Sequence, residues 1–281
     1  MAERKGSDVT KRGTWSCVAV VVGALSGCGT SAPELDEILE RNKLNYKDMG
    51  FTEMKLAQRM EEIDANYAEP RTPTKVQLSY ETSLDSISQV NRYDALWRGT
   101  RACAWLALNH PERAGRVEFA EKGIRMGYEA AKKTSTRVES HYFLALCMGG
   151  LADVKGTATS GLVKQLRDRM LLAKAIDPAY DHCGPDRFLG VLTVETAGYP
   201  LYNVGTTEDG LKLLRKASEK CPDFGENHLR YAKALIKDDQ NDLARVELEK
   251  VLRCPKPKDY TAEHEAWLQE ATQLLTETQP E

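Results

Sequence analysis

Thiols and imidazoles offer this chain its richest chemistry, and their spacing decides what they can do. Beyond Cys17 and Cys28, cysteines follow at 103, 147, 183, 221 and 254. No two of them form the Cys-x-x-Cys pair that gathers thiolates onto zinc or into a redox couple. The histidines, at 110, 141, 182, 228 and 264, are as dispersed, and only His182 adjoins a cysteine. Neither a metal nor a cofactor is implied. Adjacent carboxylates occur as Glu61-Glu62 and Asp238-Asp239. Neighbours on a helix point in different directions, so neither pair converges as acid and base, and both read as solvated. G-x-S-x-G, H-E-x-x-H, Walker and dinucleotide-binding patterns are missing. The expectation is a protein that binds and is not an enzyme.

Cys28 differs from the other thiols in its surroundings. Arg4, Lys5, Lys11 and Arg12 form a basic start, and Trp15 to Leu25 is an uncharged run of 11 residues. That run is too short for a spanning helix, which takes ~20 apolar residues, and it suits the core of a signal peptide. Leu25-Ser26-Gly27-Cys28 then resembles the lipobox of bacterial lipoproteins. The resemblance implies that Cys28 carries a diacyl group as a thioether, becomes the first residue after cleavage, and is acylated again on its amine. Three chains anchor firmly, since each buried CH₂ contributes ~0.8 kcal/mol. Gly29, not Asp, follows the cysteine, which favours the outer membrane. The expected location is the periplasm, with membrane contact through the lipid alone.

Removing residues 1–27 takes four basic and two acidic residues from totals of 39 Lys+Arg and 42 Asp+Glu, leaving 35 and 40. A net charge of about −5 argues against nucleic acid as a partner. The hydrophobic content of 41% supports a folded body with a sizeable core.

The elements that would position these residues read as helices. Residues 28–48 form a small-residue tether and a short helix over Glu34 to Lys43, and 49–281 form the main domain. Phe51 to Tyr67 shows apolar residues at steps of three and four, and Pro70 and Pro73 break the chain. Pairs then follow: Asp94–Asn109 with Glu112–Lys133, Arg137–Val154 with Leu162–Ile176 across a turn at Gly156–Gly161, Asp186–Thr196 with Thr207–Lys220, and Glu226–Lys237 with Asp242–Arg253. Tyr260–Thr276 closes the chain. Ala120, Gly123, Gly127 and Ala130, and then Ala145, Gly149 and Ala152, form stripes small enough for a neighbouring backbone to approach.

Spacings recur between pairs. Ala102 to Ala114 and Ala232 to Ala244 are both steps of 12; Gly210, Ala217 and Pro222 repeat the spacing of Leu166, Ala173 and Pro178. Small-12-small-7-small-5-Pro is the tetratricopeptide pattern, in which each pair buries an apolar face only on the next. The expected fold is therefore all-α: a TPR-like stack of helical hairpins, an α-solenoid with extra N- and C-terminal helices and a concave face built from the first helix of each pair.

Five blocks carry a closer resemblance: Asp94-Ala-Leu-Trp-Arg-Gly-Thr-Arg-Ala102, Gly127-Tyr-Glu-Ala-Ala131, His141-Tyr-Phe-Leu-Ala145, Arg187-Phe-Leu-Gly190 with Ala197-Gly-Tyr-Pro-Leu201, and His228-Leu-Arg-Tyr-Ala-Lys-Ala234. In order and spacing they resemble the T-component (TatT-type) lipoproteins of TRAP transporters over roughly residues 90–255. Ala197 stands where that family usually has proline, and Thr134-Ser135 replaces a helix-ending Asp-Pro. The resemblance implies a lipid-anchored periplasmic protein that associates with the solute-binding protein of a TRAP-type transporter and offers a cavity to a small apolar ligand. A homo-oligomer is compatible with it.

Candidate pocket residues are Trp97, Tyr142 and Arg187 on first helices, and Tyr199, Leu201 and Tyr202 in the Ala197–Asn203 loop. Gly198 permits unusual φ there, and Asn203 is a further polar candidate. The alternative for these side chains is packing in the core. The alternative function is an outer-membrane scaffold or adaptor of a pilus or secretion machine, with an open groove and polar anchors for a peptide in place of a cavity. Cys183 precedes one helix and Cys221 follows its antiparallel partner, so both lie at one end of a hairpin; a bridge between them is geometrically possible, and it is the pairing expected if any bridge forms.

Overall fold

The computed structural model describes residues 33–44, 49–88, 92–156 and 160–279. The expected signal segment 1–27, the expected lipidation site Cys28 and residues 29–32 of the expected tether lie outside the described residues. Among those described, the chain forms twelve α-helices and no strand. They are α1 (Pro33–Arg41), α2 (Glu53–Tyr67), α3 (Pro73–Asp85), α4 (Arg92–Asn109), α5 (Arg113–Lys133), α6 (Val138–Lys155), α7 (Ser160–Ile176), α8 (Tyr180–Thr196), α9 (Thr207–Lys220), α10 (Gly225–Lys237), α11 (Asn241–Arg253) and α12 (Thr261–Glu277). No described helix is long and apolar enough to cross a membrane.

Helix starts follow local chemistry. The Thr52 and Thr72 hydroxyls cap α2 and α3, with Pro73 in the first turn of α3 where its missing N–H is not needed. Thr206 and Asp209 form a reciprocal capping box at α9. From α2 to α11 consecutive helices pair as antiparallel hairpins, and each hairpin packs on the next, with α12 against α10 and α11. The first helices α2, α4, α6, α8, α10 and α12 form the inner wall, and the second helices the outer layer. α1 docks on that outer layer: Arg41 pairs with Glu121 at 2.7 Å, and Arg125 donates to the Leu39 carbonyl at 3.1 Å.

Small residues sit where helices cross. A Cβ on Gly190 would lie 3.0 Å from the Gly210 carbonyl, so α8 and α9 touch backbone to backbone. On α5, a Cβ on Gly123 would meet Cys103 of α4 at 2.7 Å and Cys147 of α6 at 2.4 Å. The expected stripe on α5 thus serves two neighbours. Ala114, by contrast, is exposed, and the α4–α5 crossing falls at Cys103 and Gly123. These helices run 18 and 21 residues, which moves the contact away from the step of 12. Ala232 and Ala244 are both fully buried.

A disulfide joins Cys183 and Cys221, the pairing expected if any bridge formed, with Cα atoms 6.1 Å apart. Cys103, Cys147 and Cys254 are free thiols.

Candidate functional site

The inner wall lines a cavity of about 60 Å³. Helical spacing builds it. Arg101, Ala104, Trp105 and Leu108 present one face of α4; Gly184, Arg187, Phe188 and Val191 present one face of α8. Tyr142, Phe143 and Leu146 come from α6, Glu226 and Arg230 from α10, and Tyr67 from the end of α2. Tyr260 and Glu263 complete it because the chain returns at the start of α12 to face α2 and α4.

Its polar floor is a closed network. Asp181 accepts the hydroxyls of Tyr142 and Tyr260, and Arg187 Nη2 donates to it at 3.2 Å. Burial, and after it the Asp181 charge, pushes both phenols well above their ordinary range, so they stay protonated donors. Glu226 lies between Arg230, whose Nη2 is at 2.9 Å, and Arg187, whose Nε is at 3.3 Å. Burial raises the Glu226 carboxyl, and the two guanidiniums outweigh it, holding the group below the usual carboxylate range.

Asp181 reaches this position through unusual backbone. Asp181, His182 and Cys183 all take left-handed φ, at 49°, 54° and 64°. Such runs are costly for residues with a Cβ and persist where the surroundings over-determine them. Here the disulfide holds Cys183, the His182 ring stacks on Phe224 at 4.3 Å, and Asn227 Nδ2 donates to the His182 carbonyl at 3.0 Å. Gly184 is required next: a Cβ there would meet the Tyr142 hydroxyl at 2.3 Å.

Among the residues expected at a pocket, Tyr142 and Arg187 line this cavity. Arg187 spends its donors on Asp181, Glu226, Asn227 and the His182 carbonyl, so it braces the wall. Trp97 lies behind the wall, stacked on Phe143 with centroids 6.3 Å apart. Tyr199, Leu201 and Tyr202 fall outside the lining, beyond the far end of α8. Leu201 is 68% exposed, Tyr199 is 38% exposed, and Tyr202 leans on the main core. Gly198 does take φ +82°, and Asn203 accepts the Gly205 N–H at 2.7 Å, so both serve the turn. Tyr67, Asp181, Glu226, Tyr260 and Glu263 are lining residues that sequence reasoning missed. The i, i+4 pair Glu226 and Arg230 was the available signal, on a helix already read as an inner one.

A second cluster gathers Cys254, His228 and Glu247 beside a groove of about 630 Å³. His228 Nδ1 is 2.6 Å from Glu247, but its Nε2 faces the Pro222 carbonyl at 2.9 Å. Cys254 donates to that same carbonyl at 3.5 Å. Burial pushes the thiol up to about 11, the wrong direction for a nucleophile. No group of three or more metal-ligating side chains is placed to hold an ion among the described residues.

No family model and no curated protein matches the sequence. Among solved structures, the chain resembles TTC0263, a thermophilic TPR protein of Thermus thermophilus. The TM-score is 0.53 at 13% identity, covering 80% of this chain and 100% of that one. The fold is of the tetratricopeptide type. Yeast Tom70 aligns over 85% of this chain and 72% of its own, at 9% identity and a TM-score of 0.29.

Proposed function

We propose that this protein is a lipid-anchored periplasmic binding protein, without catalytic activity, that holds a small and mainly apolar molecule inside its tetratricopeptide-type stack. One observation carries the ligand reading. The chain returns at α12 across the inner wall, so the concave side is a cavity in place of an open channel for a peptide. The ions of its floor, Asp181, Arg187, Glu226 and Arg230, are matched to one another, which leaves Trp105, Leu108, Leu146, Phe188 and Val191 as the surface offered to a guest. A cationic guest is disfavoured, because arginines already cover aromatic faces: Arg101 lies 4.0 Å from the Tyr67 ring. The resemblance to T-component lipoproteins supports a solute-binding protein of a TRAP-type transporter as partner. The Leu25-Ser26-Gly27-Cys28 run supports anchoring at the outer membrane.

Native mass spectrometry of protein extracted from host membranes tests the ligand. A small bound mass is expected, and Val191→Phe, which fills the cavity, should remove it with helicity unchanged. Retention of the mass in that variant would place the guest elsewhere. For the anchor, Cys28→Ala should accumulate as precursor, and an intact wild-type mass with an unmodified Cys28 would sink the lipid reading.

A further inference from the structure

The cavity has a neighbour on the rim, a groove of about 640 Å³ that includes Asp64, Glu69, Arg71 and Asp259. Groove and cavity share Tyr67, Arg101, Phe143, Asp181 and Tyr260, so one layer of side chains divides them. That layer sits where the two ends of the solenoid meet. Across this seam α12 makes no helix-to-helix packing with α2 or α4 comparable to its contact with α10 and α11. Side chains bridge it instead. Arg71 donates to the Asp259 carbonyl, pairs with Glu69, and lies 3.5 Å from Glu263. Its guanidinium is 5.0 Å from the Tyr67 ring and 5.2 Å from the Tyr260 ring. Glu69 accepts the Thr261 hydroxyl at 3.0 Å, and Glu263 accepts the Trp105 indole N–H at 3.3 Å.

This clasp is incompletely satisfied. Arg71 Nε and Glu263 Oε2 are buried without a hydrogen-bond partner. A buried polar atom left unmatched carries a desolvation cost that water would relieve. Opening the seam gives both atoms to solvent, which lowers the cost of breaking the bonds around them.

We infer that this clasp is the latch of a gate: releasing Arg71 lets Tyr260 swing out with the 256–260 segment, joining groove to cavity and admitting the small molecule. The inference rests on the ligand reading above. Asp181 keeps Tyr142 and Arg187 when Tyr260 leaves, so the floor survives opening. Two populations of one chain, closed and open, then set the rate of access.

The test uses the full-length chain in detergent, with Ala104→Cys placing a thiol on the cavity wall. N-ethylmaleimide labelling at that thiol is located by fragment masses, which separate it from Cys103. Arg71→Ala should speed labelling about tenfold by shifting the closed–open balance, and Thr261→Val a few-fold. Arg215→Ala, which breaks an exposed pair with Glu219, should change nothing. Equal labelling rates in wild type and Arg71→Ala, with the fold intact, would overturn the gate. So would acceleration that merely follows each variant's global unfolding rate. If Arg71→Ala does not fold, Thr261→Val decides alone by the same criteria. Xenon, a neutral probe matched to a cavity of about 60 Å³, should exchange faster in the latch variants by xenon NMR and reach the same final occupancy. Failure of xenon to bind any form counts against the ligand reading, while the labelling rates still judge the gate.

Discussion

Around α5 the helices meet through small and apolar side chains, whereas from α7 to α11 buried ions join them as well. In the first region Gly123, Gly127, Cys103 and Cys147 bring three helices into close contact within one large apolar core. In the second, Asp186 is fully buried between Lys174 at 2.6 Å and Lys216 at 3.1 Å. Glu226 sits between two arginines, and His228 holds Glu247. Apolar contact stabilises many registers; a buried ion tolerates only the register that supplies its partner, since an unmatched charge is strongly destabilising. The cavity lies at the junction, with an apolar wall from α4 and α6 and an ionic wall from α8 and α10. Its shape therefore depends on the ionic half being assembled correctly.

Four variants and a pH titration probe that contrast. Glu226→Gln leaves Arg187 and Arg230 buried with a neutral partner, and should lower unfolding free energy by ~3–5 kcal/mol in urea titrations. A loss below ~1 kcal/mol would mean that the pairs are effectively solvated and the contrast is false. The same residue governs acid behaviour. Its folded pKa is depressed below the usual 4.5, so its stabilisation is present above the ordinary carboxylate range. That stabilisation is lost as pH falls through the folded value. Amide exchange across pH 3 to 7 should show α8–α10 loosening before α4–α6, and Glu226→Gln should flatten the acid limb. Replacing Cys183 and Cys221 by Ser should cost ~2–4 kcal/mol and loosen the turn that carries Asp181; unchanged thermal melting would show that Arg187 and Asn227 suffice. Gly123→Ala should cost ~1–3 kcal/mol by overpacking the apolar half, with no pH dependence. Leu201→Ser, on an exposed loop outside both regions, should stay within ~0.5 kcal/mol, and a larger loss would make that loop a third structural centre.

What could be read from the sequence follows the same divide. Helix positions came from apolar steps of three and four and from prolines, and most agree with the structure within a few residues; α3 (Pro73–Asp85) was not assigned, and α8 starts at Tyr180, six residues before Asp186. The disulfide was legible because hairpin geometry alone puts Cys183 and Cys221 at one end. The Ala102–Ala114 crossing failed because a long hairpin crosses elsewhere. The cavity was largely illegible. Its walls come from six helices spread over some 200 residues, and no local pattern encodes a curvature tight enough to bring α12 back to α2. Charged residues are mostly exposed, so Asp186 gave no sign of burial, and Glu226 gave only that of an arginine four residues on. Nor does Asp-His-Cys, with no glycine, announce three left-handed residues. Tyr199 and Leu201 drew attention because large side chains in a proline-containing loop suggest a rim, yet the loop leaves the stack at the end away from the cavity.

The docking of α1 on α5 has a consequence for orientation. Four residues separate Cys28 from Pro33, and an extended chain over those five Cα-to-Cα steps reaches roughly 18 Å. A protein held by lipid at Cys28 cannot drift far or turn freely, since α1 is clamped to the outer layer by Arg41 and Arg125. Under the proposed lipid anchor, the convex back would lie toward the bilayer, and the groove and its clasp would look outward, where a soluble partner could deliver or collect a guest without touching the membrane.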